Sequence, residues 1–379
     1  MKSIRVGYVI GGLGLGGAER ELVNQVKSLS MVGIACVVFS FGDGRDLEPE
    51  IEPLAPVVLI DRHWKGTFYR IERVLKLQKL VRRFRVDLLH SQTFYTNLYA
   101  WAVGKIVGIP AIGSIQSDVY SEIRGNGAWG MPSFRWPRWM TANSKPAYHT
   151  ALELGRSAEN TFLLENALDL AQFDMLAADG EVLPDRGEGI LVVSVGNLRE
   201  QKRHDLLLEA LALARRSMPN LKCWIVGDGP LRHALEQQAQ ALGLLEDARV
   251  QFLGKRRDVP AVLRLADIFV LSSNHEGYPN AVQEALAAGL PVVATRVGAV
   301  PDMIQEGDNG FLIPPGDYGQ LAERIVCLAS QPSERVRMGL NARRYAEEHF
   351  SLERLCRDLI GIYSRVLGKS GFPLGVQSR

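Results

Sequence analysis

The sequence predicts an α/β protein of two domains, each built on a doubly wound parallel sheet. Three observations lead there. At 379 residues the chain exceeds what one hydrophobic core usually organises. Short runs rich in Val and Ile alternate with longer amphipathic stretches, the pattern of parallel strands joined by helical crossovers. The alternation stops once, between Phe173 and Gly189, in the small, polar, Gly- and Pro-containing stretch AADGEVLPDRGEG, and then restarts.

In chain order, Ile4–Ile10 is the first strand candidate, followed by a glycine loop and a helix from about Gly17. Ile34–Ser40, Val57–Ile60, Val86–His90 and Pro110–Ile115 continue the first sheet. After the linker, Ile190–Val195, Leu221–Val226, Val250–Leu253, Ile268–Ser272 and Pro291–Thr295 repeat the pattern, each with a helical segment behind it. The expected domains are 1–180 and 187–350, with a helix and tail over 351–379 that crosses back to the first domain. Ligands of such sheets bind outside the carboxyl ends of the strands, so two facing sheets place a site between the domains.

Composition excludes several classes. Apolar content of 46% and charged content of 23% are those of an ordinary globular protein, and a formal charge of +2 gives no basis for whole-molecule nucleic-acid binding. The four cysteines (Cys36, Cys223, Cys327, Cys356) show neither metal-ligand nor redox spacing and read as reduced core residues. The opening MKSIRVGYVIGG is too short an apolar run for a signal peptide, and no run of about 18 apolar residues suggests a membrane span. A cytoplasmic protein is expected.

The segment ADIFVLSSNHEGYPNAVQEALAAGLPVVAT carries the chemistry. It parses as a buried strand, a loop over Ser273–Pro279, and a helix over Asn280–Ala288 stopped by Gly289. Asn280 is the expected N-cap, with Gln283 at capping-box spacing. Gly277 lets backbone approach a ligand, and the free N–H groups of a helix start suit an anion such as a diphosphate. Glu276 and Glu284 bracket that anion site, where sugar and ribose hydroxyls are partners a carboxylate accepts from. Either glutamate alone is explained as an acid near a helix start or a solvated helical residue; the run as a whole is not.

The run Glu276-Gly-Tyr-Pro-Asn-Ala-Val-Gln-Glu284 resembles the Glu–seven residues–Glu motif of the retaining family 4 glycosyltransferases, whose fold is the GT-B type, two Rossmann-like domains facing across a cleft. VGNLREQKRHDLLLEA, IVGDGPLR, VQFLGKRRDVP and VGAVPDMIQEGDNGFLIPPGD resemble further segments in that family's order, and GGLGLGGAER, DLLHSQTF and LLENALDL do so more loosely in the first half. The resemblance implies that Glu276 contacts the donor sugar, that Glu284 contacts the ribose, and that Gly277, Tyr278, Pro279 and Asn280 present backbone to the diphosphate. Lys202 matches the lysine that neutralises the leaving diphosphate. Where the family commonly has Arg, this chain has Asn197, so Arg199 or Arg203 is expected to supply the second positive charge. Gly227, with Gly254, Lys255 and Arg256, falls where such enzymes line the nucleotide, by backbone more than by side chain.

Gly12, Gly14 and Gly17 also satisfy the dinucleotide pattern Gly-x-Gly-x-x-Gly, with Asp43 beyond the second strand, so an NAD-dependent dehydrogenase is a rival reading. It leaves Lys202 and the Glu276–Glu284 run unexplained. The same loop resembles the family's amino-terminal loop, where Gly16 and Gly17 reach the diphosphate. A hydrolysing sugar-nucleotide epimerase and a non-catalytic sugar-nucleotide sensor are two further rivals. On the acceptor side, His90 ends a strand at the expected cleft edge and Gln116 ends the next; His90 is also explained as a strand-end residue with a hydrogen-bond partner.

Arg62–Arg85 holds nine Lys/Arg and one acidic residue. In helical projection Ile71, Val74, Leu80, Val81 and Phe84 share a face opposite Lys76, Lys79 and Arg83. That describes a packed helix with a solvated back, or a helix that meets an anionic membrane surface, and Arg135-Trp-Pro-Arg-Trp139 adds interfacial residue types. The expected reaction moves a sugar from a UDP- or GDP-sugar to a saccharide or lipid-linked acceptor hydroxyl, in cell-surface polysaccharide or glycolipid synthesis. No Asp-x-Asp pair suggests a metal, and no cofactor is expected.

Overall fold

The structure, a computed structural model, describes residues 4–42, 44–60, 69–178, 183–246 and 249–368. Asp43, the acid of the dinucleotide pattern, and part of the linker lie outside them. The chain divides into two compact units, residues 1–167 with 352–379, and residues 168–351.

The first unit holds seven parallel strands: β1 (Arg5–Ile10), β2 (Ala35–Ser40), β3 (Val57–Leu59), β4 (Leu88–Ser91), β5 (Ala111–Ile115), β6 (Trp139–Ala142) and β7 (Thr161–Leu163). Their order is β3-β2-β1-β4-β5-β6-β7, so the winding reverses between β1 and β4. Val6 pairs with Cys36 on one side and Leu88 on the other. The crossovers carry α1 (Gly17–Ser30), α2 (Glu48–Ile51), α3 (Tyr69–Arg83), α4 (Asn97–Val107), α5 (Val119–Gly125), α6 (Gly130–Arg135) and α7 (Lys145–Glu153). Buried runs such as Val6–Ile10 are continuous because both faces of the sheet are covered by helices.

The second unit opens with α8 (Leu170–Ala178) and holds β8 (Ile190–Val195), β9 (Leu221–Val226), β10 (Val250–Gly254), β11 (Ile268–Leu271), β12 (Val292–Thr295) and β13 (Gly310–Ile313), ordered β10-β9-β8-β11-β12-β13. Its helices are α9 (His204–Ala214), α10 (Arg232–Ala241), α11 (Val259–Arg264), α12 (Asn280–Ala287), α13 (Val300–Met303), α14 (Tyr318–Ser330) and α15 (Pro332–His349). α16 (Leu352–Leu367) returns to the first unit.

One boundary differs from the sequence-based expectation, for a physical reason. The first unit ends at Ala167 rather than 180, because Phe173 of α8 is buried in the core of the second unit with Val193, Trp224 and Leu286. At the other end, Leu355, Leu359 and Tyr363 of α16 are completely buried against Leu22 and Val26 of α1, so this helix completes the first unit's core. β6, β7 and β13 are not among the strands expected from sequence.

Candidate active site

In the second unit the carboxyl ends of β8, β9, β10 and β11 converge on loops that carry most of the singled-out residues. Beyond β8 the chain runs through Gly196 and Asn197 into a 3₁₀ turn, Glu200–Lys202, with Arg203 in the left-handed region (φ 50°) before α9. The Lys202 carbonyl accepts from Ser272 Oγ at 2.9 Å, and the Gln201 carbonyl from Asn274 N at 2.8 Å, which fixes this turn to the loop beyond β11. Lys202 Nζ consequently donates to Glu276 Oε1 at 2.6 Å, and Ser273 Oγ donates to the same oxygen at 2.6 Å. The lysine and glutamate side chains keep 17% and 9% of their exposure. An ion pair this enclosed needs further hydrogen bonds to offset desolvation, and Ser273 supplies one.

Glycines allow the approach. Gly227, at φ +133°, donates its N–H to the Gly254 carbonyl at 2.8 Å, and a Cβ there would overlap the Gly196 carbonyl. The Lys202 stem lies over Gly196, whose Cβ position is 3.6 Å from Cδ and Cε. Gly298, at φ +51°, backs the Glu276–Gly277 loop so closely that a Cβ would overlap the Glu276 carbonyl, and the Gly277 carbonyl accepts from Ala299 N at 2.9 Å.

The motif helix is capped one residue earlier than expected. Pro279, buried, is the N-cap of α12 and Asn280 its first residue, with no side-chain cap. Proline's fixed φ ends the loop, and its carbonyl takes the N–H groups of Val282 and Gln283. Tyr278 is half-buried against the unit's core, and Glu284 stands on the second turn of α12, half-buried.

Other assignments change with the structure. Arg203 grips its neighbour Asp205 through Nε and NH2, so the guanidinium beside Lys202 that remains unpaired with any carboxylate among the described residues is Arg199, which is exposed. The Arg256 side chain donates two hydrogen bonds to Asp258, at 2.8 and 2.7 Å, and holds its own loop. His90 does not line an edge. It is completely buried, with Nδ1 2.8 Å from Tyr363 Oη and Nε2 3.3 Å from Thr141 Oγ1, and burial pushes it down to about 3. Because α16 closes over the end of β4, this imidazole is a core residue and cannot meet an acceptor. Gln116 is half-buried beyond β5, its carbonyl accepting from Asn143.

Gly16 and Gly17 open α1, Gly16 as N-cap, with the Glu19 carboxylate folded against Gly16. Gly12 and Gly14 sit in the loop before it, tied to the chain beyond β2 by Leu13 N to the Gly44 carbonyl.

Sequence reasoning missed Ser273, Gly298, His204 and Glu122. Ser273 lies inside the motif segment, but only its contact with Glu276 reveals a role. His204 is 4% exposed beside Lys202; burial, aided by the lysine's charge, pushes it down to about 4, so it adds no positive charge to the site at neutral pH. On α5, burial pushes Glu122 up to about 7, opposed by the Gln116 N–H it accepts. No spacing in the sequence marks either.

With this geometry in view, the likeness to known proteins is informative. Residues 179–345 match the family described as glycosyl transferases group 1, and residues 15–172 match glycosyltransferase family 4. The chain belongs to the family 4 glycosyltransferases. It is therefore a transferase of the GT-B type, and the dehydrogenase, epimerase and sensor readings are overturned by matches in both halves. The lipopolysaccharide core biosynthesis glycosyltransferase LpsE of Rhizobium meliloti is 27% identical over 345 residues, covering 90% of this chain and 93% of that protein. N-acetyl-alpha-D-glucosaminyl L-malate synthase of Bacillus anthracis is 33% identical over 177 residues, covering 47% of this chain and 46% of that one. Among solved structures, HepE of Anabaena in complex with UDP superposes with a TM-score of 0.81 at 21% identity, over 95% of this chain and all of that one.

Proposed function

We propose that this family 4 enzyme transfers a sugar, with retention of anomeric configuration, from a nucleoside-diphosphate sugar to an acceptor hydroxyl in cell-surface polysaccharide or glycolipid synthesis. The observation that carries the reading is the Lys202–Glu276–Ser273 cluster at the head of α12. Its parts suit opposite ends of one substrate. An ammonium and the exposed Arg199 guanidinium suit the diphosphate, whose charge grows as the glycosidic bond breaks, and Glu276 suits hydroxyls of the sugar being moved. Glu284 is assigned to the ribose, and the backbone from Gly277 to Asn280, with Gly227, to the phosphates and nucleotide. In the first unit the start of α1, at Gly16 and Gly17, is a second anion-recognition element. Gln116 is assigned to the acceptor. The HepE relative was solved with UDP and with UDP-glucose, which favours a uridine donor here.

The test is a thermal-shift panel of UDP- and GDP-sugars and of NADH, with and without EDTA, followed by NMR of the product's anomeric proton. Donor binding to the folded state alone raises Tm by mass action. The reading predicts a rise of several degrees with a UDP- or GDP-sugar, unchanged by EDTA, none with NADH, and a product keeping the donor's anomeric configuration. An inverted product, or no rise with any sugar nucleotide, contradicts it.

A further inference from the structure

The transferase reading leaves unused a groove on the first unit, bounded by α3, α4 and α6. It has a volume of about 380 Å³, and its walls include Val74, Leu98, Trp101 and Ala102. The apolar residues of α3 divide. Leu77 and Val81 are buried in the core with Val103, whereas Ile71, expected on the buried face, is 59% exposed and Leu75 is 50% exposed. With Ile106, Trp129 and Trp136, each nearly half exposed, they form an apolar rim around the groove. Apolar side chains clustered this way at the surface of a folded unit mark a contact with something else.

The charge around this rim identifies what. The chain as a whole carries only +2, yet α3 alone has six basic residues and one acidic. The Arg70 guanidinium lies 4.8 Å over the Trp129 ring, and Arg73 sits 5.0 Å over Tyr69 and 5.1 Å over Phe41. Directly beyond Trp136, a second cavity of about 530 Å³ is lined by Arg135, Arg138 and Arg156 with no Asp or Glu in its wall. Arg156 spends its donors on the carbonyls of Phe134, Pro137 and Arg138, while Arg135 and Arg138 are exposed. Of the two tryptophans in this stretch, Trp136 faces out and Trp139 stacks on Phe162. A second copy of the chain packed on this face by two-fold symmetry would set one basic rim against another.

We propose that this face docks on the surface of an anionic phospholipid bilayer, with hydrocarbon entering the groove and lipid phosphates meeting the arginine rim. Apolar area supplies the insertion and the cations supply the selectivity for anionic headgroups. This adds a lipid surface to the transferase reading, and the two can fail separately.

The full-length protein is sedimented with vesicles of equimolar phosphatidylglycerol and phosphatidylcholine, and with phosphatidylcholine alone. The expected result is at least about tenfold tighter binding to the anionic vesicles at low salt, weakening as salt is added. Vesicles should also shift the emission of Trp129 and Trp136 to the blue. Ile71→Glu with Leu75→Glu should lower vesicle binding about tenfold or more while leaving Tm and its rise with donor unchanged. Arg135→Ala with Arg138→Ala should flatten the salt dependence. Equal partition to both vesicle types, an unshifted emission, or a dimer in solution that Ile71→Glu and Leu75→Glu dissociates would each overturn the proposal.

Discussion

Lys202 and Glu276 satisfy each other at 2.6 Å, and in the proposed reading substrate replaces that contact with better ones. Such a pair holds the ammonium in place, so part of the ordering cost is met before donor arrives. His90 shows a different use of a titratable group. Its imidazole sits near 3 in the folded protein against 6.5 in an unfolded chain, because burial disfavours the cation. Below pH 6.5 the unfolded chain therefore binds a proton that the native state does not, and stability falls as pH falls, by up to about 1.4 kcal/mol per unit until the native value is reached. His90→Gln should flatten that acid limb in denaturation at pH 4–7, while losing stability at pH 8 as Tyr363 and Thr141 lose their partner; an unchanged acid limb would remove His90 from the account. Lys202, Glu276 and Glu284 were legible because they stand in segments that resemble those of a known family. Ser273, His204 and Glu122 were illegible because their properties come from burial and from neighbours distant in the chain.

At the scale of elements, the strand and helix alternation was legible because parallel strands covered on both faces write continuous apolar runs. The end of the first unit was not, since α8, whose Phe173 is buried in the core of the second unit, does not show its partner in its own residues. α16 buries Leu355, Cys356, Leu359, Ile360, Ile362, Tyr363 and Val366. At about 1.5–3 kcal/mol for each large side chain, their removal costs roughly 10–20 kcal/mol as an upper estimate, as much as or more than the whole stability of a domain. Ending the chain at Ser351 should therefore leave the first unit unfolded, with the second still showing a cooperative transition. Two intact transitions in calorimetry would contradict that role. The start of α12 teaches a smaller lesson: Asn280 has N-cap chemistry, but Pro279 one residue earlier fixes the backbone first.

For the whole molecule, the two units share an architecture and divide the chemistry. The second gathers the residues proposed for the donor at the carboxyl ends of its strands. The first carries the α1 glycine loop and an apolar groove with Arg70 in its wall. Among the described residues no helix is long and apolar enough to cross a membrane. Everything assigned to the donor site turns on Lys202 stabilising the charge that develops on a departing diphosphate. The measurement that tests this most directly is single-turnover transfer by Lys202→Ala, with donor affinity determined in parallel by calorimetry. Loss of one preorganised charge costs on the order of 3 kcal/mol in the transition state, so the rate constant should fall about a hundredfold while donor affinity falls only a few-fold. An unchanged rate constant, or a loss confined to affinity, would contradict the account.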